Sequence, residues 1–257
     1  MKQSRLLSVD DMIRFVEKPN LPQGKVRQLI LGEKYKKVLQ SALFDRNITP
    51  IWLKNNNSVD KRLEGHCDLM AVHLGGSKIA VQADRIDICE NINNVELIKI
   101  SAPLKPEYPY DAGLNICIVG DRLIYNPKSA NPQIVSQING ARLCCKQGYT
   151  KCSICVVDEN SIITADNKIA FIASATGLNV LSVNEKLTAL DGFEHGFIGG
   201  ASFKINRNEM AFTGTINNSN ERKRIERFLD DRGVQAVYLT DEPIFDIGSA
   251  IPIVEEI

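Results

Sequence analysis

The chain has 257 residues, enough to bury a substantial core as one large domain or two small ones. Basic and acidic residues balance at 31 each, so no cationic excess awaits a nucleic-acid backbone or an anionic membrane, and there is no acidic tail. The opening MKQSRLLSVDDMIRF scatters charge among its apolar residues, no later run approaches a membrane span, and the seven cysteines are an odd number, which together predict a cytoplasmic protein with reduced thiols.

Residues 1–20 read as an N-terminal extension, and 21–257 as one domain. Over 24–44, Val26, Leu29, Ile30, Tyr35, Val38, Leu39 and Leu43 can share one helical face, so this stretch predicts an amphipathic helix. Helical spacing returns over 132–146 and over 220–231, where Gly233 stands in the right place to end the helix. DRIDICENIN (84–93) is a weak helical candidate.

Strand-like runs follow a repeating order. PIWLK (50–54), VELIKI (95–100), LNVLSV (178–183) and VQAVYL (234–239) are short β-rich stretches, each followed by a second run; with the unit around Lys151, which lacks a clear first strand, the second runs are five: HCDLMAVHL (66–74), NICIV (115–119), CSICVV (152–157), GGASFKI (199–205) and DIGSAIPIV (246–254). Four of the second runs enter turns of hairpin composition (75–77, 120–121, 158–160, 206–208), and a third strand follows each: KIAVQ, RLIYN, SIITA and EMAFTG. The second runs recur at offsets of roughly 37 to 48 residues, a repeat-architecture signal. Such a unit cannot bury its apolar face alone. The predicted fold is therefore α/β, a five-unit pseudo-symmetric ββαβ propeller, with an ordinary layered α/β domain as the alternative.

The phrases GHCDLMAVHLGG (65–76), GYTKCSICVVDENSIITAD (148–166), GFIGGASFKINRNEMAFTGTI (196–216) and FDIGSAIPI (245–253), on five such units, resemble the pentein fold. That superfamily of guanidino-group-modifying enzymes includes arginine and agmatine deiminases, dimethylarginine hydrolase and amidinotransferase, and the phrases are most like a bacterial family in it without an established activity. The resemblance implies a last-unit cysteine nucleophile, a fourth-unit histidine and acidic residues clamping a guanidinium. This sequence departs from the pattern. Its last unit reads Asp246-Ile247-Gly248-Ser249-Ala250, no cysteine follows Cys155, and the fourth unit has Gly199-Gly200-Ala201-Ser202 with His195 just upstream.

The candidate site residues follow from the aligned second runs. His66 and Asp68, two apart, share a face if they lie on a strand and could move protons or bind a cation. His73 reads as a rim or turn residue. Of Cys152 and Cys155, one packs in the core and the other faces the axis, and Cys152 is the choice for the axis because Lys151 beside it would favour thiolate. No second cysteine or histidine pair at knuckle spacing completes a zinc site around them. Asn115, Ser153, Ser202 and Ser249 hold similar places in other units, and Asp246 reads as a clamp carboxylate or a turn cap. The expected ligand-binding set is His66, Asp68, Asn115, Lys151, Cys152, Ser202, Asp246 and Ser249, with no cofactor and no metal. Three roles remain open: binding a small polar ligand, guanidino or amino-acid-like, without covalent chemistry; an enzyme using Cys152 or Cys67 with His66 and Asp68; and a protein-interaction propeller.

Overall fold

The computed structural model describes residues 13–83, 88, 92–101 and 105–257. Most of the weak helical stretch 84–93, Cys89 included, lies outside the described residues. Among the described residues, sixteen strands form five small sheets, one of four strands and four of three.

Four sheets are built from consecutive strands: β4 (Ala71–Gly75), β5 (Lys78–Gln82) and β6 (Glu96–Ile100); β7 (Cys117–Val119), β8 (Arg122–Tyr125) and β9 (Ala141–Cys144); β10 (Ile154–Asp158), β11 (Ser161–Thr164) and β12 (Asn179–Ser182); β13 (Ser202–Asn206), β14 (Glu209–Phe212) and β15 (Gln235–Tyr238). In each, the first strand pairs antiparallel with the second through a tight turn, and the second pairs parallel with the third. A parallel pair cannot be joined by a tight turn. The crossovers are accordingly helical where described: α2 (Pro132–Gln137) between β8 and β9, α4 (Asn167–Ala175) between β11 and β12, and α5 (Ser219–Asp230) between β14 and β15. Asn131, Asp166 and Asn218 cap these helices by accepting from first-turn amides.

The fifth sheet joins the two ends of the chain. The C-terminal strand β16 (Ile251–Glu256) pairs antiparallel with β2 (Lys25–Gly32), which pairs parallel with β3 (Thr49–Leu53) across α1 (Lys36–Phe44). On its outer side β16 also takes the short β1 (Ile13–Phe15). Fully buried Glu255 ties this junction, receiving Arg14 at 2.9 Å and the amide of Gly24 at 2.8 Å.

The inner strands of the sheets are buried on both faces, while third strands such as β9 and β12 are largely exposed. Five apolar clusters lie between successive sheets, from Ile51 with Ile79 through Val72 with Ile118, Ile124 with Ile162 and Cys155 with Phe212, to Phe203 with Leu29, which brings the fourth consecutive sheet against the one holding both termini. That explains why SIIT, buried at every position, does not show clean alternation.

Three expectations change. The stretch 24–44 is β2, a 3-10 turn (Glu33–Tyr35) and α1, not one helix: VRQLILG fills the slot between β16 and β3, where ladder pairing and two-sided burial override helical spacing. The stretch 132–146 divides in the same way into α2 and β9, because parallel pairing with β8 claims its second half. The second runs also begin as strands later than expected, since residues 66–70, 150–153 and 246–250 are turns or a short helix, α3 (Thr150–Ser153), leading into the strands. By contrast, the third helix, the four hairpin turns and Gly233 at φ +66° stand where the sequence put them.

Candidate functional site

The five segments that lead into β4, β7, β10, β13 and β16 meet one another through backbone hydrogen bonds and side chains. The amide of Asp68 donates to Gly248 O (3.2 Å), those of Ile247 and Ser249 to Gly200 O (3.1 and 2.9 Å), and that of Gly200 to Cys152 O (2.8 Å). Asn115 Oδ1 accepts from the amides of Lys151 (2.7 Å) and Cys152 (3.3 Å). Glycine is required for such closeness: a Cβ on Gly200 would lie 1.9 Å from Asp246 Oδ1, and one on Gly248, itself at φ +68°, 2.3 Å from His66 Cβ.

His66 and Asp68 belong to the turn at Cys67–Leu69, not to a strand, so strand alternation is not what unites them. The turn still places them together. An imidazole nitrogen of His66, a carboxylate oxygen of Asp68 and the sulfur of Cys152 lie within 4.8 Å of one another, all three residues buried. Cys152 Sγ donates to Asp68 Oδ2 at 2.8 Å and receives Asn115 Nδ2 at 3.4 Å. His66 Nε2 and Asp68 Oδ1 are buried with no hydrogen-bond partner.

Burial governs the protonation of the cluster. It pushes the Asp68 carboxyl up to about 7, assisted by the neighbouring Asp246 charge and opposed by the Cys152 hydrogen bond and Lys151. Asp246 rises to about 6 from burial, partly offset by the amides of Gly248 (2.8 Å) and Phe197 (2.9 Å) that it accepts from. His66 falls to about 3 because burial disfavours its cation, so the imidazole is neutral. The Cys152 thiol is driven well above its usual range by burial and by both aspartates. The expectation that Lys151 would favour thiolate is therefore reversed: the Lys151 ammonium bonds Ser249 Oγ (2.6 Å) and Gly199 O (3.5 Å), and the thiol keeps its proton and donates it to Asp68.

Cys152 lies in α3, while Cys155, in β10, packs in the core against Met210 at 3.9 Å. The two sulfurs thus have separate surroundings although they are only three positions apart. Ser249 is at the site, at φ +66°. Ser202 and Ser153 are not brought in: their hydroxyls donate to Ile198 O (2.7 Å) and Tyr149 O (2.8 Å). His73 is buried instead of forming a rim; its Nε2 bonds Gly76 O at 2.8 Å, and burial lowers it to about 4.

A cavity of about 260 Å³ reaches this cluster, with His66, Cys152 and Asp246 in its lining together with Leu63, Tyr149, Leu190, Phe193, Glu194, His195 and Phe197; Asp68 lines not this cavity but a separate one of about 20 Å³, together with Lys151. Tyr149 is braced by donating to Asp111 at 2.5 Å, and burial with that bond raises its phenol far above the usual range. The wall residues were missed from sequence. Only Tyr149, inside the phrase GYTKC, carried a local signal; the 188–197 segment reaches the cavity through tertiary contacts such as Arg62 stacked 4.1 Å over Phe193.

Residues 30–251 match a family of unknown function, DUF6873. The chain belongs to that family. No curated protein matches it in sequence. Among solved structures, an amidinotransferase of Microseira wollei from the saxitoxin biosynthetic pathway is similar at TM-score 0.57 and 7% identity, covering 93% of this chain and 97% of that one. Agmatine deiminase of C. jejuni gives 0.54 and 10%, covering 89% and 91%. The inosamine-phosphate amidinotransferase of Streptomyces griseus gives 0.52 and 10%, covering 93% and 97%. The DUF6873 chain thus has the pentein fold of guanidino-group-modifying enzymes, as the resemblance implied.

Proposed function

We propose that this DUF6873 protein binds a small organic cation with a planar guanidinium or amidinium head in the cavity beside His66, Asp68, Cys152 and Asp246. One observation carries the reading: two carboxylates, Asp68 and Asp246, are buried at one site with no side-chain ion pair to either among the described residues, and Asp68 Oδ1 is buried without a hydrogen-bond partner. A buried carboxylate left this way is costly, and an N–H-rich planar cation would supply both charge and donors. Lys151, held by Ser249, compensates part of the charge; a ligand cation would balance the rest. The aromatic and leucine walls suit an alkyl or aryl body on that head. Neighbours of the same fold are named for guanidino or amidino chemistry, which adds to the prior without specifying this ligand.

In this reading residues 21–257 act as one domain, a five-unit pseudo-symmetric propeller, and the site lies where the five leading segments converge. The clusters between successive sheets support that arrangement.

A second reading is favoured by the 2.8 Å contact of Cys152 Sγ with Asp68 Oδ2. The carboxylate could take the thiol proton as the sulfur attacks an amidino carbon, with neutral His66 positioned to shuttle protons to the departing amine. A thermal-shift screen of guanidino, amidino and plain alkylamine compounds separates these readings from a scaffold role. A guanidino compound at a hundred times its Kd should add about 2.7 kcal/mol of stability. Ammonia or amine release would favour the enzyme; no shift with any cation would sink both.

A further inference from the structure

We infer that His66, Asp68 and Cys152 form a binding site for a zinc-type divalent metal ion, an occupant alternative to the organic cation. The three side chains supply one imidazole nitrogen, one carboxylate oxygen and one sulfur, mutually within 4.8 Å. Around a tetrahedral zinc, ligand atoms sit on the order of 3.5 Å apart, given metal–ligand bonds of about 2.0 to 2.3 Å, so small side-chain adjustments close the triad onto one ion. A mixed nitrogen, oxygen and sulfur set with an open fourth position is a zinc-type donor set, and the cavity provides the open side.

A second observation is independent of this grouping: His66 Nε2 and Asp68 Oδ1 are fully buried without a hydrogen-bond partner. Buried polar atoms normally find one. The surroundings also fix the donors before any ion arrives. Gly248 packs against the His66 Cα and Cβ positions, Cys67 Sγ anchors the turn on Gly248 O at 3.4 Å, and Asn115 Nδ2 already donates to the Cys152 sulfur. Binding replaces the Cys152 S–H bond by a sulfur–metal bond and releases that proton to solvent. Zinc thiolate and aspartate charges then cancel the ion's two positive charges. Because Asp68 and Cys152 serve both occupants, metal and guanidino compound exclude each other.

The test titrates metal-free protein with Co2+ and then Zn2+ alone. One equivalent of Co2+ per chain should give a thiolate-to-cobalt charge-transfer band, which Zn2+ bleaches, and Zn2+ should shield Cys152 from alkylation in the unaltered protein. Cys152→Ser should abolish the band, and His66→Gln should weaken zinc binding by about 10- to 100-fold or more. Substituting exposed Cys144→Ser should change neither. Absence of stoichiometric binding and of Cys152 protection in the folded wild-type protein, or a band that survives in Cys152→Ser, overturns the site. No guanidino compound is present, so a failed titration leaves the organic-cation reading intact, and a failed thermal-shift screen leaves the metal site intact.

Discussion

Two leading segments meet at the site and differ in how fully their polar groups are used. In Thr150–Ser153 the donors and acceptors have partners: Lys151 on Ser249 and Gly199, Ser153 on Tyr149 O, Thr150 on Gln147 O, and Cys152 on Asp68. In His66–Asp68 one imidazole nitrogen and one carboxylate oxygen are buried and unpartnered. In the proposed reading Lys151 and Ser153 of the first segment are scaffold that ties the leading turns together, and His66–Asp68 is the recognition element. Substitutions in the two should therefore have opposite signatures, large on stability for one and large on binding for the other.

The largest expected effect is on the scaffold side. Lys151→Met leaves Ser249 Oγ and Gly199 O without their buried donor and should destabilise by about 3 kcal/mol in urea unfolding; a loss below about 1 kcal/mol would mean that Lys151 is not structural. On the recognition side, Asp68→Asn should weaken guanidino binding by about 100-fold, roughly 2.7 kcal/mol, while the fold stays intact. Asn115→Ala should cost about 1 to 3 kcal/mol, because the amides of Lys151 and Cys152 lose their acceptor. Ser202→Ala, whose hydroxyl is spent on Ile198 O, should leave ligand affinity unchanged and cost about 1 kcal/mol or less.

The pH dependence sharpens the same contrast. Asp68 and Asp246 titrate higher folded, near 7 and 6, than unfolded, so the folded chain holds protons that the unfolded chain has lost. Their contribution is full below the unfolded carboxyl range and is lost as pH rises from about 4 to 7. His66 and His73 are depressed to about 3 and 4, so their contribution has the opposite sign: it is present above about 6.5 and is lost as pH falls towards the folded values. Asp68→Asn should remove the Asp68 share of the first decline, leaving that of Asp246, and raise the melting temperature at pH 8. A variant less stable than wild type at that pH would show that the carboxylate is structural. Thiol reactivity gives a smaller but direct reading. Buried Cys152, held protonated, should alkylate more slowly at neutral pH than exposed Cys144.

Much of the fold was legible because it is encoded locally. Gly75-Gly76, Gly120-Asp121 and Asn206-Arg207-Asn208 are turn chemistry whatever surrounds them, and the strands beside them recur in one order. Segments whose spacing admits either element were not legible. VRQLILG satisfies a helical face and a strand slot equally, and only β16, arriving from the far end of the chain, decides between them. The candidate site was legible only as a set of aligned positions that the fold brings together, since His66, Asp68, Asn115, Lys151, Cys152, Asp246 and Ser249 all precede the first strand of their units. Their contacts were not, because Cys152 and Asp68 are 84 residues apart and the direction of each side chain depends on turns that strand alternation does not describe.

Calorimetric titration of a guanidino compound that stabilises the protein, repeated from pH 5 to 8.5 in wild type and Asp68→Asn, tests most directly whether the buried carboxylates receive a cation. Affinity should climb with pH by up to about tenfold per unit through the range near 6 to 7 and level off above it, with the climb diminished and the affinity low in the variant. Affinity that is flat across this range, or equal in the two proteins, would contradict the assignment of Asp68 as the group that receives the ligand.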